Sequence, residues 1–109
     1  MTDEKKSAKL SGMLGLAMRA GKVIVGTEQI CAALSKGKAH LVLVSFGASD
    51  GTKKKLSCKC EFYKTRMTEI NIDTEELGRL LGKTYTPAAA AIADENFAVT
   101  IAKILDSAE

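Results

Sequence analysis

The stretch that decides the fold is His40-Leu-Val-Leu-Val-Ser-Phe46. It is a nearly continuous apolar run of strand length, followed at once by the breaking segment 47–51. Such a run is typical of a central strand covered on both faces, since a strand with one wet face alternates apolar and polar residues. The sequence therefore predicts a sheet with helices packed on both sides.

The residues before this strand predict a helix, a short strand and a second helix. Apolar residues recur at helical spacing over residues 9–20, and Gly21 is a suitable left-handed stop. The β-branched triplet Val23-Ile24-Val25 predicts a short strand. A second helix is expected from residue 26 or 27 to about residue 35, with Thr27 as its N-cap.

The residues after the central strand alternate in the same way. A third helix is predicted from Thr52 to about Cys60, and Phe62-Tyr63 is expected to lead a short strand. Asp73-x-x-Glu76 resembles a capping box that opens a helix ending near residue 82. A loop over 83–87, a small-residue strand over 88–93 and a closing helix from residue 96, capped by Asp94 and Glu95, complete the chain. This alternation predicts a three-layer α/β/α sandwich around a small mixed sheet.

Length and composition predict one domain, residues 1–109, of a soluble cytoplasmic protein. Apolar residues make up 46% and charged residues 27%, an ordinary globular balance. The charged start, residues 1–6, contains no hydrophobic signal core, and no apolar run approaches the ~20 residues of a membrane span. Aromatic residues are only 5%, which argues against a surface that stacks several bases.

Catalytic and metal chemistry finds little support in the sequence. The one histidine, His40, stands at the entrance of a buried strand, and Cys31, Cys58 and Cys60 lack metal-ligand spacing. On a helix Cys58 and Cys60 point to different faces, which suits reduced thiols better than a zinc ion. No phosphate-loop, dinucleotide or nucleophile-elbow motif occurs. We therefore expect no catalytic residues, no metal and no cofactor.

The net charge of +3 conceals an uneven distribution along the chain. Residues 1–66 hold 13 cations and 5 acids, a formal +8, whereas residues 67–109 hold 3 cations and 8 acids, a formal −5. An anionic partner is one use for such asymmetry, and solvated surface lysines are the other explanation.

The expected helix start at Gly26-Thr27-Glu28-Gln29 is a candidate site for an anion. Gly26 lets a ligand backbone approach closely, and unpaired amides at a helix start attract phosphate. Lys22 adds charge nearby, while Glu28 and Gln29 offer hydrogen-bond acceptors to base edges. The alternative for Glu28 is a purely stabilising interaction with the helix dipole.

Several motifs stand in the order found in one known family. They are Leu14-Gly15-Leu16-Ala17-x-Arg19-Ala20-Gly21-Lys22, Gly26, Lys38-Ala39-His40-Leu41-Val42-Leu43, Ala48-Ser49-x-x-Thr52-x-Lys54-Lys55, Lys59-Cys60, Glu76-Leu77-Gly78-x-x-Leu81-Gly82-Lys83 and Asp94-x-x-Phe97-Ala98. Together they resemble the large-subunit ribosomal protein seven-Ae family, most of all its small bacterial YlxQ-type members, over nearly the whole chain.

The resemblance implies an α/β/α protein that binds kink-turn RNA, a sharply bent duplex with tandem sheared G·A pairs. It also implies no enzymatic activity and no cofactor, with ribosomal or other structured RNA and ribosomal proteins as partners of a monomer. The RNA surface it implies comprises Lys22, Gly26, Thr27, Glu28, Gln29, Lys36, Lys38, Tyr85, Thr86, Pro87 and Ala88.

This sequence departs from the archaeal-type members of that family, which carry Gly-Thr-Asn-Glu at the helix start and a lysine one turn later. Glu28, Gln29 and Ala32 stand at the three altered positions, and Ala32 removes a cation. Two other functions stay open. One is a protein-interaction module of a ribosome or ribonucleoprotein assembly. The other is a small enzyme, or the recognition domain of an enzyme, because related folds accompany RNA methyltransferases.

Overall fold

The computed structural model describes the backbone of residues 3–106 and the side chains of residues 8–106. Helices and strands alternate along this part of the chain. The elements are α1 Asp3–Arg19, β1 Val23–Val25, α2 Thr27–Ser35, β2 Leu41–Ser45, α3 Asp50–Phe62, β3 Arg66–Ile70, α4 Thr74–Leu80, β4 Ala89–Ile92 and α5 Glu95–Leu105. Residues 1–2, which belong to the charged start of the sequence, lie outside the described residues. Within the described range, no helix combines the length and apolarity needed to cross a membrane.

The strands form one mixed sheet in the order β1-β4-β2-β3. β2 pairs in parallel with β3 and antiparallel with β4, and β1 pairs antiparallel with β4. All five residues of β2 are buried, which confirms the prediction of a central strand covered on both faces.

Helices cover both faces of the sheet because successive side chains of β2 point to opposite sides. Leu41 and Leu43 pack in a core with α1, α4 and α5. Val42 and Val44 pack in a second core with α2 and α3. Two separate cores on the two faces of one sheet confirm the three-layer sandwich.

Two local predictions at element starts are wrong. Gly26, and not Thr27, is the N-cap of α2, and no side chain caps that helix. α3 begins two residues earlier than predicted, since the Ser49 side chain accepts a hydrogen bond from the Thr52 amide. By contrast, Asp73 and Asp94 do cap α4 and α5.

The prediction that Phe62-Tyr63 leads a strand is also wrong. Phe62 is the last residue of α3, and Tyr63 is its C-cap. The Thr65 amide donates to the Cys60 carbonyl at 2.8 Å across Lys64, whose φ is +56°. These turn hydrogen bonds outweigh the strand preference of two aromatic residues, and β3 begins only at Arg66.

Candidate functional site

The start of α2 is open, unlike the other helix starts that the structure describes. Side chains of Ser49, Asp73 and Asp94 cap α3, α4 and α5, whereas α2 has Gly26 as N-cap and no side-chain hydrogen bond. The first hydrogen bond of α2 runs from the Ile30 amide to the Gly26 carbonyl at 2.9 Å. The amides of residues 27–29 therefore have no intrahelical acceptor and point toward whatever lies before the helix.

Gly26 adopts a backbone conformation that few other residues tolerate. Its φ is 102° and its ψ is 140°, a region that glycine occupies because it lacks a Cβ. A Cβ placed on Gly26 would also stand 2.5 Å from Oε1 of Gln29, whose side chain folds back over the glycine. The fold therefore requires glycine at this corner, and the flexible Gln29 side chain has to move aside before a ligand reaches the Gly26 backbone.

Glu28 is held toward the neighbouring helix α3. Its Oε1 accepts a hydrogen bond from Nζ of Lys55 at 2.9 Å, although the Glu28 side chain is 81% exposed. The hydrogen bond first, and the positive charge of Lys55 second, lower the pKa of Glu28. The same hydrogen bond, and then the negative charge of Glu28, raise the pKa of Lys55. An exposed pair of this kind is weak because solvent and salt screen it, so the carboxylate can exchange Lys55 for another donor.

The loop over residues 85–88 lies at the same end of the sheet as the start of α2. Val25 pairs with Ala90 in the antiparallel β1–β4 ladder, so the residues after β1 and before β4 are neighbours. Tyr85 and Thr86 are exposed, Ala88 is half-buried and Pro87 is buried. The side chain of Pro87 thus anchors the loop and does not face solvent. We call residues 26–29, 46–47 and 85–88 the helix-start end.

The lysines predicted for the same surface lie at the opposite end of the sheet. The Ala93 amide donates to the Lys22 carbonyl, and the His40 amide donates to the Ile92 carbonyl, both at 2.8 Å. Lys22 and the turn 36–38 are therefore neighbours of the last residues of β4. The three residues of β1 lie between Lys22 and Gly26, so four steps of about 3.3 Å, roughly 13 Å, separate them. The structure brings the helix start and the 85–88 loop together, and it places Lys22, Lys36 and Lys38 elsewhere.

The structure adds residues to the helix-start end that sequence analysis missed. Phe46 is 47% exposed there, although its position at the end of an apolar run suggested a core residue. Lys53 donates to the Phe46 carbonyl at 3.0 Å and pairs with Glu69 at 2.8 Å. Lys54 is exposed, and within the described part of the chain no carboxylate pairs with it. The run Lys53-Lys54-Lys55 was the signal available in the sequence. The direction in which its side chains point depended on where α3 begins.

The arrangement suits binding of an anion and shows no constellation for catalysis or metal chemistry in the part of the chain described. No group of three or more histidine, cysteine or acidic side chains there is placed to hold a metal ion. The helix-start end instead combines open amides, a bare glycine, an exposed tyrosine and nearby lysines. It defines a small α/β/α protein whose helix-start end presents hydrogen-bond donors and lysines that suit a polar, anionic ligand.

The family model of the ribosomal protein L7Ae/L30e/S12e/Gadd45 family matches residues 8–102. The chain therefore belongs to this family, which confirms the resemblance seen in its motifs. It is 35% identical over 94 residues to the RNA-binding protein YlxQ of Bacillus subtilis, with 86% of this chain and 92% of that protein covered. The RNA-binding protein YlxQ of Enterococcus faecium is 33% identical over 104 residues, covering 95% of this chain and 98% of that one.

A solved structure supports the fold independently. The Giardia lamblia 15.5kD RNA binding protein superposes with a TM-score of 0.78 at 20% identity, covering 96% of this chain and 88% of that one. At this identity the likeness shows the shared α/β fold.

Proposed function

We propose that this protein binds RNA through the helix-start end and that its preferred ligand is a kink-turn in ribosomal or other structured RNA. In this proposal it acts as a cytoplasmic monomer without catalytic activity. The observation that carries the proposal is the open start of α2, the one described helix start among α2 to α5 that has no side-chain cap.

Each part of the helix-start end has a chemical task in this proposal. The amides of residues 27–29 receive a phosphate, and Gly26 lets the RNA backbone come close. Glu28 and Gln29 accept hydrogen bonds from base edges, with Glu28 giving up Lys55 when it does so. Tyr85 and Thr86 lie beside a base that has left the stack, and buried Pro87 keeps their loop in place.

A bent duplex fits this surface better than a straight one. A straight A-form duplex hides its base edges in a deep, narrow major groove that side chains cannot enter. A kink opens the groove and exposes base edges to short side chains such as Glu28 and Gln29. Membership of the family, together with similarity to two proteins named as RNA-binding, supports the choice of RNA over other anions.

The test is a titration of the protein with a kink-turn duplex and with a straight duplex of equal length in moderate salt. We expect tighter binding to the kink-turn duplex, measured as a lower Kd. Lys103→Ala, in the last turn of α5, is the control variant and should bind both duplexes as the parent protein does. Equal, weak binding of the two duplexes by the parent protein would refute the proposal.

A further inference from the structure

The end of the sheet opposite the helix-start end carries a second surface with features of its own. Phe62, the last residue of α3, is 75% exposed, more than any other large hydrophobic side chain among the described residues. The ring of Tyr63 packs edge-on against it, with a centroid distance of 4.9 Å and an interplanar angle of 85°. The fold thus leaves most of the Phe62 ring in solvent instead of burying it.

Exposed lysines lie at the same end of the sheet as this ring. Lys59 lies one helical turn before Phe62 on α3, and Lys64 follows in the turn with φ +56°. Leu41 pairs with both Arg66 and Ile92, and Ile92 pairs with Val23, so the near ends of all four strands are side by side. Three spacings of about 4.8 Å between neighbouring strands put the outer strands β1 and β3 roughly 14 Å apart at this end. We call the set Lys22, Lys36, Lys38, Lys59, Phe62 and Lys64 the lysine end.

The charge at the lysine end is not neutralised by the side chains that the structure describes. Where side chains are described, none of its five lysines forms an ion pair with a carboxylate. Asp106 instead holds Arg66 in a two-pronged contact at 2.7 and 2.9 Å, and Glu61 is the acidic neighbour of Phe62 on α3. Unpaired lysines at the same end of the sheet as one exposed ring favour a partner that carries negative charge and a flat apolar face.

We propose that the lysine end is a second RNA-binding surface, which takes an unpaired segment of the RNA and stacks one base on Phe62. This inference rests on the proposed function and extends it to a separate part of the molecule. Bases in a duplex are stacked on each other and offer no free face, whereas an unpaired nucleotide offers both a face and a phosphate. One exposed ring stacks one base, and the lysines track the phosphates on either side.

The test uses decaadenylate labelled with 5′-fluorescein, titrated with the full chain at low salt and followed by anisotropy. Phe62→Ala is expected to raise the Kd about tenfold, as the loss of one base–aromatic stack does. Phe62→Tyr keeps the ring and should stay within about twofold of the parent. Leu16→Ala removes another exposed apolar side chain, from α1 on the other layer, and is also expected to leave the Kd unchanged.

A second arm separates this proposal from the first. Saturating unlabelled kink-turn duplex, without unpaired extensions, should leave decaadenylate bound, because the two ligands occupy opposite ends of the sheet. The second surface would be overturned if that duplex displaced decaadenylate, or if Phe62→Ala left the Kd for decaadenylate unchanged. It would also be overturned if decaadenylate failed to bind, and a protein partner would then explain the exposed Phe62. The kink-turn proposal fails separately, if the protein binds the bent and the straight duplex with equal affinity.

Discussion

Gly26 and Glu28 both stand at the start of α2, where they affect stability and, in the proposed function, RNA binding. Gly26 connects β1 to α2 through a conformation with φ 102°, and it leaves the helix without a side-chain cap. Glycine at an N-cap costs only a few tenths of a kcal/mol relative to serine or aspartate, and those residues would be strained at the φ of Gly26. Glu28 recovers part of that cost by placing a negative charge at the helix start and pairing with Lys55.

Replacing Gly26 by alanine should damage both roles. We expect Gly26→Ala to lower the free energy of unfolding by about 1–3 kcal/mol, since a Cβ is strained at this φ and ψ. Affinity for the kink-turn duplex should fall about tenfold, because the added Cβ keeps the RNA backbone too far from the open amides for one phosphate–amide hydrogen bond to form. Denaturant titration and RNA titration measure the two effects.

Gly21→Ala is the matched control for this variant. Gly21 also has a positive φ, +73°, but it precedes β1 at the other end of the sheet. The Gly21→Ala variant should lose about 1 kcal/mol of its free energy of unfolding and keep its affinity for the kink-turn duplex. Equal loss of affinity in both variants would mean that strain, and not the position of Gly26, weakens RNA binding.

The Glu28–Lys55 pair makes a prediction about pH. Since the pKa of Glu28 is lowered from 4.5 in the folded protein, its contribution to stability is present above about pH 4.5 and is lost as the pH falls through the lower folded value. Lys55→Ala should return the pKa of Glu28 toward 4.5, as followed by NMR titration of its side-chain carboxyl carbon. Lys54→Ala removes the adjacent unpaired lysine and should leave that pKa lowered. An unchanged Glu28 pKa in Lys55→Ala would contradict the ion pair.

At the scale of elements, α4 positions the loop that carries Tyr85 and Thr86. Gly78 lies in α4, and a Cβ placed there would stand 2.6 Å from the Tyr85 carbonyl oxygen and 3.1 Å from Cδ of Pro87. The loop therefore rests directly on the backbone of the helix. Because the obstructing atoms belong to backbone and a proline ring, they cannot move aside without moving the loop.

Gly78→Ala should for this reason destabilise the protein by about 1–3 kcal/mol through overpacking and weaken binding of the kink-turn duplex. Gly15→Ala in α1 is the matched control, since a Cβ at Gly15 meets nothing within 4 Å. That change should stabilise the protein by about 0.5–1 kcal/mol by removing glycine from a helix. Thermal denaturation and RNA titration of both variants check the pair of expectations. A fully stable Gly78→Ala would show that the loop is not seated on α4.

At the scale of the whole molecule, the uneven charge of the sequence becomes two separated basic regions. The lysines at the start of α3 lie beside the helix-start end, and two of them are partly neutralised by Glu69 and Glu28. The lysine end keeps its charge unpaired among the described side chains. In the proposed function, the unpaired lysines attract RNA toward the protein before any specific contact forms.

Binding of the kink-turn duplex should therefore weaken steeply as salt rises. The logarithm of the association constant is expected to fall with the logarithm of salt concentration, with a slope of about −0.9 per phosphate neutralised where the contacts are duplex-like. Lys54→Ala should make this slope shallower by about 1, whereas Lys103→Ala should not change it. A flat salt dependence in the parent protein would argue against phosphate contacts.

Local patterns in the sequence were enough to determine the elements and the layers. The apolar run at 41–45, the β-branched triplet at 23–25 and the caps Asp73 and Asp94 all depend on neighbours within a few residues, and the structure has them where the sequence predicts. The Gly26 corner could be located in the same way. Phe62 was misplaced because helical turn bonds decided against its intrinsic strand preference.

The placement of the candidate residues relative to one another was decided only by the tertiary structure. Strand register joins Val25 to Ala90 and Val23 to Ile92, which puts the 85–88 loop beside Gly26 and sends Lys22, Lys36 and Lys38 to the far end. The pairing of Glu28 with Lys55 and the burial of Pro87 follow from helix packing in the same way. The physical reason is that register and packing are set by contacts between segments far apart in the chain, and no local pattern of charge or hydrophobicity records them.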